Sequence, residues 1–375
     1  MKLGFWNGSS KGGKFFAPTI TNLTMFNRIT SSPLFLKLFV WEYWPMGLAI
    51  VPTVAFWLWF GLRARRLFFF SAVNPAIETG GMMGESKIDI MRHLPEEHLP
   101  KTVFVKTGTP WEKIISELKA LEMDYPLIAK PNVGERGFQV LKVEEEDMLR
   151  DYHAANRMDF LIQEFVDLPL EVSILYHRFP DREKGAVTSV CLKEFLQVKG
   201  DGRSSIRDLM KRDPRANLQV GRFEQEKPEV LSQVPASGEQ LLLEPIGNHC
   251  RGTKFLSGNH LIDPELNAVF DRLTRKMDGI HYGRFDMKCS SMDELRKGNS
   301  FKILEYNGVS SDPAHIYDPS IPVWKKYRDV FRHWEIMYRI YLVQRDKGVR
   351  AMGLAEAWGT WRSYWKYKHR IEGAD

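Results

Sequence analysis

The most constraining feature of this sequence is a segment, 283–289, in which charged and apolar side chains alternate. Arg284, Asp286 and Lys288 occupy every second position, and only Phe285 and Met287 lie between them. Successive side chains of a β-strand point to opposite faces, so this period of two predicts a half-buried strand. The chain must therefore build a sheet with one apolar face and one charged face.

A second strand pattern follows at 301–307 and places Glu305 and Asn307 on one face. If the two strands are neighbours, Asp286, Glu305 and Asn307 converge as a cluster of oxygen ligands. Mg²⁺ binds such hard ligands together with phosphate oxygens and water. Arg284 beside them would stabilise charge that develops on a transferred phosphoryl group or a tetrahedral intermediate. Taken alone, two carboxylates and an amide are more often an ordinary solvated face.

A strand, a lysine and a glycine-containing loop occur in that order at 125–137. Gly134 and Gly137 let backbone N–H groups approach phosphate oxygens, and Lys130 supplies a positive charge. The pattern therefore predicts a phosphate-binding loop. A plain hairpin turn would have the same appearance.

The order and spacing of these pieces resemble the ATP-grasp superfamily, in particular D-alanine–D-alanine ligase and the ATP-grasp domain of cyanophycin synthetase. The resemblance runs from about Lys87 to Pro313. The segment 198–209 and the following Asp213-Pro214-Arg215 are similar to the G-D-G-x-S-T-I and D-P-R sequences of the cyanophycin type. The R-x-D and E-x-N motifs of the family match the charged positions of the two strands described above.

The resemblance implies an α+β protein with the ATP-grasp fold, in which two α/β lobes grip ATP. It implies that Mg²⁺, or Mn²⁺ in its place, is held by Asp286, Glu305 and Asn307, and that Arg284 and Lys130 are catalytic. It also implies a set of nucleotide contacts at the phosphates, the adenine and the ribose: Lys87, Lys130, Gly134, Arg136, Gly137 and Lys193; Gln163, Glu164, Phe165 and Val166; and Glu171.

The implied activity is ATP-dependent ligation of a carboxylate to an amine through an acyl phosphate, with release of ADP and phosphate. The substrates are expected to be small-molecule or lipid-linked carboxylates and amines. Glu78 is a candidate to hold an ammonium group and Arg251 a second carboxylate, and ordinary turn and surface roles are the alternative. A phosphotransferase on the same scaffold and a non-catalytic nucleotide-binding scaffold remain open.

Residues 34–66 are predicted to anchor the protein in a membrane. Tyr43–Leu62 carries no charge over 20 residues, and a helix of that length just crosses a hydrocarbon core of roughly 30 Å. Three arginines follow by residue 66 and would place the catalytic domain on the cytoplasmic side. Pro45 and Pro52 weaken the spanning interpretation, so an in-plane anchor and an element buried in the fold remain open.

The C-terminal segment 319–375 holds 12 Lys or Arg and 6 Asp or Glu, and it accounts for the whole net charge of +6. Aromatic residues from Trp324 to Tyr341 recur at helical spacing, which predicts an amphipathic helix that faces either lipid or its own domain. Around 361–370 aromatic and basic residues crowd together, which favours contact with membrane lipids. No nucleic-acid partner is expected.

The predicted organisation is an irregular lead (1–33), the membrane anchor (34–66), a small substrate region (67–124), the ATP-grasp domain (125–318) and an amphipathic helical tail (319–375). Within the substrate region, the apolar run 67–73 is expected to form a buried strand.

Overall fold

The computed structural model describes residues 46–134, 137–244, 247 and 251–372. Its strands are β1 Thr102–Val105, β2 Leu127–Pro131, β3 Leu141–Val143, β4 Phe160–Glu164, β5 Leu170–His177, β6 Ala186–Glu194, β7 Gln197–Lys199, β8 Gln240–Leu242, β9 Lys254–Ser257, β10 Tyr282–Cys289 and β11 Phe301–Asn307. Its α-helices are α1 Met46–Ala49, α2 Val51–Ala64, α3 Lys87–Met91, α4 Trp111–Ala120, α5 Glu146–Ala155, α6 Ile206–Arg212, α7 Pro214–Asn217, α8 Val220–Glu226, α9 Pro228–Leu231, α10 Pro264–Thr274, α11 Met292–Lys297, α12 Val323–Asp346 and α13 Leu354–Glu372. The predicted α+β class is confirmed.

The first sheet has the order β1-β4-β2-β3, and all its pairs are antiparallel. Helix α4 packs on it because its apolar residues recur at helical spacing: Ile114 and Leu118 are both buried and join the core of this lobe. Helix α5 adds the buried Leu149. This lobe carries Lys130 at the end of β2.

The second sheet has the order β11-β10-β5-β6-β9 and is also antiparallel. The two strands predicted within 283–289 and at 301–307 are neighbours in this sheet. Phe285 and Met287 point into a core that includes Phe270 of α10, and the intervening charged residues take the opposite face. The sheet therefore presents its charged face away from its own core.

The prediction of a strand at 67–73 was wrong. Phe69–Ala72 is a 3₁₀ helix whose Phe69 is fully buried, with its ring centroid 6.0 Å from Trp334 and 5.9 Å from Tyr341. A short apolar run does not distinguish a strand from a buried helical turn, because both bury side chains on every side. Packing against α12 decided the outcome.

Of the predicted anchor, residues 34–45 lie outside the described part, and most of the remainder forms α1 and α2. The rings of Phe56 and Phe60 lie 5.1 and 5.2 Å from that of Phe331 on α12, and Phe60 is buried. Nowhere in the described chain is there a helix both long and apolar enough to cross a bilayer.

The aromatic stripe of α12 mostly packs on its own domain, which was one of the two alternatives. Trp334 and Tyr341 are buried in the cluster formed with α2 and the 3₁₀ helix, whereas Trp324 at the start of α12 is 62% exposed. The second tail segment forms α13, and its tryptophans, unlike Trp334 of α12, are exposed to solvent.

Buried histidines should make this fold sensitive to acid. Burial lowers the pKa of His177 and His281 to about 4 and that of His333 to about 3, and nearby arginines add to the effect at each. An unfolded chain protonates histidine near pH 6.5, so stability present above that pH is lost as the pH falls toward 4. We expect the melting temperature to drop by about 5 °C or more between pH 7 and pH 5.

Thermal melts across pH 4.5–8 measure this directly, with His333→Gln as the comparison that should flatten part of the slope. A melting temperature that stays constant from pH 7 to pH 5 would contradict the prediction.

Candidate active site

The two-strand motif brings its oxygen ligands together. In the antiparallel pair β10–β11, Asp286 lies opposite Glu305, and Arg284 lies opposite Asn307. The amide Nδ2 of Asn307 donates to Oδ2 of Asp286 at 3.1 Å. Residues directly opposite on neighbouring strands share a face, and two carboxylates placed this way repel each other. The pair therefore needs positive charge nearby.

Three basic side chains supply that charge. Arg284 grips Asp286 with two hydrogen bonds, from Nε to Oδ1 at 3.1 Å and from Nη2 to Oδ2 at 3.0 Å. Lys193 Nζ lies 4.0 Å from Oδ1 of Asp286, and Lys87 Nζ lies 3.6 Å from Oε1 of Glu305. Burial opposes ionisation of Asp286, but the charges of Arg284 and Lys193 outweigh it and lower its pKa to about 2. Asp286 is therefore a carboxylate at any physiological pH.

Lys130 crosses from the first lobe to the second. Its Nζ donates to the carbonyl oxygen of Leu304 on β11 at 3.0 Å, next to Glu305 in the chain. Burial lowers the pKa of Lys130 to about 8, the charge of Lys87 contributes to the fall, and Glu305 opposes it. A buried, partly destabilised ammonium beside a second lysine is suited to receive an anion, because an anion would relieve the repulsion.

Lys87 is the first residue of α3, and hydrogen bonds tie this helix to the glycine loop. Its Nζ donates to the carbonyl oxygen of Gly134 at 2.6 Å. The side chain of Asn132 accepts from the amide of Ile88 at 3.0 Å and donates to Ser86 Oγ at 3.0 Å. Gly137 continues the loop at a φ of 73°, and Arg136 lies outside the described residues. The two predicted phosphate segments are therefore one connected unit.

Glu171 and Lys193 form a buried ion pair, with Nζ 2.7 Å from Oε1. Burial opposes the charge on Lys193, but Glu171 and Asp286 outweigh it and raise the pKa of the lysine. Sequence reasoning missed two neighbours of this pair. Ser173, two residues along β5 and so on the same face, donates to Asp286. A Cβ at Gly247 would lie 2.1 Å from Oε1 of Glu171, so a larger residue there would displace the Glu171 carboxylate.

The linker between the lobes places its residues in different directions. The side chain of Gln163 is buried and donates to Thr102 Oγ1 at 2.9 Å, so it faces β1 within the first lobe. The ring of Phe165 lies between two cations, with Lys142 Nζ at 4.6 Å and Lys288 Nζ at 5.1 Å from its centroid. Lys288 Nζ also donates to the carbonyl oxygen of Val166 at 3.1 Å.

A cleft of about 610 Å³ opens beside this linker. Glu164 and Phe165 line it together with Lys142, Asp167 and residues 122–126. The cleft therefore reaches the adenine end of the predicted site, and the lysines of the phosphate end are not among its walls.

The two candidate substrate residues lie in different surroundings. Glu78 is exposed on a loop that is held against the end of β11, where the amide of Ser310 donates to the carbonyl oxygen of Gly81 at 3.0 Å. Arg251 instead forms an ion pair with the buried Glu244, at 3.5 Å, a carboxylate that it shares with Arg222 at 3.0 Å. The segment that carries Glu78 therefore lies against the end of β11, whereas Arg251 is paired with Glu244.

The G-D-G segment has a structural role. Asp201 accepts from the amides of Arg203 and Ser204 at 2.9 and 2.7 Å and closes the turn that leads to α6. Asp213 caps α7 through the amide of Ala216 at 2.8 Å. These motif residues shape the small subdomain around α6–α9 and do not contact the ligand cluster in the described structure.

The donor set fits a divalent cation of the magnesium type by its chemistry. Asp286, Glu305 and Asn307 offer carboxylate and amide oxygens, and the opposed carboxylates concentrate negative charge where such an ion would bind. Among the described residues, no group of three His, Cys, Asp or Glu side chains is arranged as a metal site. The predicted set, with two carboxylates and one amide, has the composition of a site that phosphate oxygens and water complete.

Comparison with known proteins gives similarities of fold. No protein-family model matches the sequence, and no curated protein matches it. The structure is similar to a D-Ala:D-Ser ligase from Enterococcus faecalis (TM-score 0.40, 15% identity, 69% of this chain and 62% of that one). It is also similar to a D-alanine–D-alanine ligase from Bacillus anthracis (0.39, 14%, 72% and 70%) and to a bifunctional glutathione synthetase from Pasteurella multocida (0.35, 15%, 62% and 33%).

This chain thus spans 62% of the length of the first of these proteins and 33% of the glutathione synthetase. The order of its sequence motifs resembles that of the ATP-grasp superfamily.

Proposed function

We propose that this protein uses ATP and a divalent cation to join a carboxylate to an amine through an acyl phosphate, releasing ADP and phosphate. One observation carries the proposal: Lys130 of the first lobe reaches the strand of Glu305 in the second lobe, and Lys87, on the helix α3 that hydrogen bonds tie to the glycine loop, pairs with Glu305. Lysines on one side and carboxylates on the other are the arrangement that a metal-bound triphosphate between two lobes requires.

The nucleotide would be held along this junction. Mg²⁺ or Mn²⁺ bound by Asp286, Glu305 and Asn307 would offset the negative charge of the triphosphate. Lys130 and the glycine loop at Gly134 and Gly137 bind the phosphate oxygens from the first lobe, and Lys87 does so from α3. Lys193 binds them from the second lobe, and residues 164–166 of the linker line the adenine.

Glu171 is proposed to accept hydrogen bonds from the ribose hydroxyls. It now pairs with Lys193 at 2.7 Å, so nucleotide binding would exchange that pair for a ribose contact and a phosphate contact. After the exchange each buried charge still has a partner. This matters because a buried charge left without a partner costs free energy.

Arg284 is positioned for the acyl-transfer step. The carboxylate substrate attacks the γ-phosphorus and ADP leaves; the amine then attacks the acyl carbon, and phosphate leaves. Because Asp286 holds Nε and Nη2 of Arg284, its guanidinium has a fixed orientation from which to stabilise the oxyanion of the tetrahedral state. Positioning and charge neutralisation carry this chemistry, so no side-chain nucleophile is required.

Measuring three products tests the proposal: ADP, free phosphate and amide, in a screen of amino acids, short peptides and lipid-linked acids with Mg²⁺ present. A ligase gives the three in equal amounts and only when both carboxylate and amine are supplied. A phosphotransferase gives ADP and a phosphorylated acceptor without free phosphate. Absence of magnesium-dependent ATP turnover with any acceptor would leave the non-catalytic alternative.

We also propose that the enzyme works at a membrane surface, with its catalytic lobes on the cytoplasmic side and membrane lipids as partners. An exposed apolar stripe on α2 supports this, since Val51, Val54, Leu58 and Leu62 recur at spacings of 3, 4 and 4 and are 62%, 38%, 44% and 77% exposed. Exposed arginines at 63, 65 and 66 end the stripe, a pairing suited to anionic headgroups.

Replacing Val54, Leu58 and Leu62 by glutamine should weaken sedimentation with anionic vesicles at least about tenfold, because each change removes buried apolar area at the lipid interface. Val234→Gln, another exposed apolar position, is the matched control. Deletion of residues 1–66 is a poorer test because it also removes the buried Phe60. Unchanged sedimentation of the triple variant would show that α2 does not contact lipid.

A further inference from the structure

Helix α13 has two different faces. The outer face carries Leu354, Trp358, Trp361 and Trp365 at spacings of 4, 3 and 4, and these side chains are 73%, 62%, 42% and 36% exposed. The inner face carries Tyr364 and Tyr367, which are only partly exposed. An ordinary surface helix buries its apolar stripe and exposes its polar one. Helix α13 leaves its largest apolar side chains in solvent.

The inner face rests on both segments that carry the phosphate lysines. Tyr367 Oη donates to the carbonyl oxygen of Val133 at 2.9 Å, and the next residue, Gly134, accepts from Lys87. Gly84, three residues before Lys87, packs so closely on the ring of Tyr364 that a Cβ there would lie 3.2 Å from it. The helix therefore braces the glycine loop and the start of α3 together.

The outer face has the chemistry of a lipid interface. Trp358 and Trp361 stack with centroids 4.9 Å apart, Trp365 follows at 5.9 Å, and Lys368 Nζ lies 5.2 Å from the ring of Trp365. Residues 354–372 contain four Lys or Arg and two Glu. Tryptophan is favoured at the level of lipid headgroups, and the basic residues beside it attract anionic headgroups. An anionic bilayer is therefore the partner that fits.

We propose that contact of the outer face of α13 with an anionic bilayer is coupled to nucleotide binding, and that Tyr367 is the positioning residue that links the two. This inference rests on the proposed function, because it takes the braced loops to be the phosphate-binding loops. Tyr367 lies on the side of the helix away from the tryptophans, so bilayer contact leaves it docked and reduces the entropic cost of ordering the loops. Lipid and nucleotide then strengthen each other's binding, since coupling between two sites is reciprocal.

The experiment measures the Kd of MgADP for the full chain with no vesicles, with phosphatidylcholine vesicles, and with vesicles that also contain phosphatidylglycerol. Anionic vesicles should tighten MgADP binding at least about fivefold, and neutral vesicles should have a much smaller effect. Replacing Trp358, Trp361 and Trp365 by serine should remove this gain without changing the Kd measured in solution.

Tyr367→Phe separates positioning from lipid contact. It should bind vesicles as the native chain does but lose the vesicle-dependent gain in MgADP affinity. Tyr327→Phe is the matched control, because it too removes a tyrosine hydrogen bond to a backbone carbonyl, that of Ala49 at 3.1 Å, and it should keep the gain.

The outcomes distinguish the two proposals. Equal MgADP affinity with and without anionic vesicles overturns the coupling and leaves nucleotide binding intact. No MgADP binding under any condition overturns the proposed function itself. If the triple tryptophan variant converts a dimer into a monomer and vesicles have no effect, the outer face is covered by a second copy of the chain, and the lipid assignment is wrong.

Discussion

Replacing Glu305 by glutamine should lower ATP turnover on the order of 10³-fold while changing the melting temperature by less than about 2 °C. The substitution keeps the shape of the side chain and removes the charge that a divalent cation needs. Glu305 pairs with Lys87 at 3.6 Å, and its side chain is 36% exposed. A partly exposed pair of this kind contributes little to folding, so stability should hardly change.

The measurement is the turnover rate at a series of Mg²⁺ concentrations, alongside a thermal melt. Glu112→Gln, an exposed carboxylate on α4, is the control and should behave as the native enzyme. Native-like turnover in the Glu305 variant would show that Glu305 does not bind the metal. The proposed mechanism would then lose its main support.

Replacing Lys130 by methionine should lower kcat/KM for ATP at least about 100-fold without reducing stability. Burial depresses the pKa of Lys130 from its ordinary value of 10.5 to about 8, so below pH 8 the folded protein carries an ammonium that its surroundings disfavour. Each pKa unit corresponds to about 1.4 kcal/mol, so methionine should raise the free energy of unfolding near neutral pH, by up to about 3 kcal/mol. Loss of function with equal or greater stability is the expected signature.

The pH dependence of nucleotide affinity gives an independent check. With a pKa of about 8, the amine loses its proton above that pH, so the affinity of the native protein for MgADP should fall as the pH rises from 8 to 9. Lys130→Arg keeps its charge throughout and should show a flatter profile. If the Lys130→Met variant is destabilised but has native kinetics, Lys130 has only a structural role, as the donor to the Leu304 carbonyl oxygen.

Strand alternation made the central part of the site predictable. Because a strand repeats every two residues, the charges at 284, 286 and 288 had to share a face. The same argument placed Glu305 and Asn307 on one face, but only the structure showed that the two strands are an antiparallel pair. The glycine loop after Lys130 was predictable for a similar reason, since its signal lies in consecutive residues. The period of two also contained the signal for Ser173, which stands two residues after Glu171.

Other features depended on contacts between distant parts of the chain. The apolar run 67–73 became a 3₁₀ helix because α12 buries it, and no local pattern records that partner. The side chain of Gln163 turned to Thr102, 61 residues away, through a contact that arises only when β1 and β4 pair. The role of Tyr367 depends on α13 returning to a loop more than two hundred residues earlier in the sequence.

The sequence by itself determined the alternation of charged and apolar residues in β10 and β11, the lysine before the glycine loop, and the concentration of tryptophan and basic residues near the C-terminus. These are short-range properties, set by backbone geometry and by the chemistry of neighbouring side chains. Only the tertiary structure decided that Lys130 reaches the strand of Glu305, and that α13 packs on Val133 and Gly84 while its tryptophans face outward. Such outcomes follow from how separate elements bury one another, and burial is a property of the whole fold.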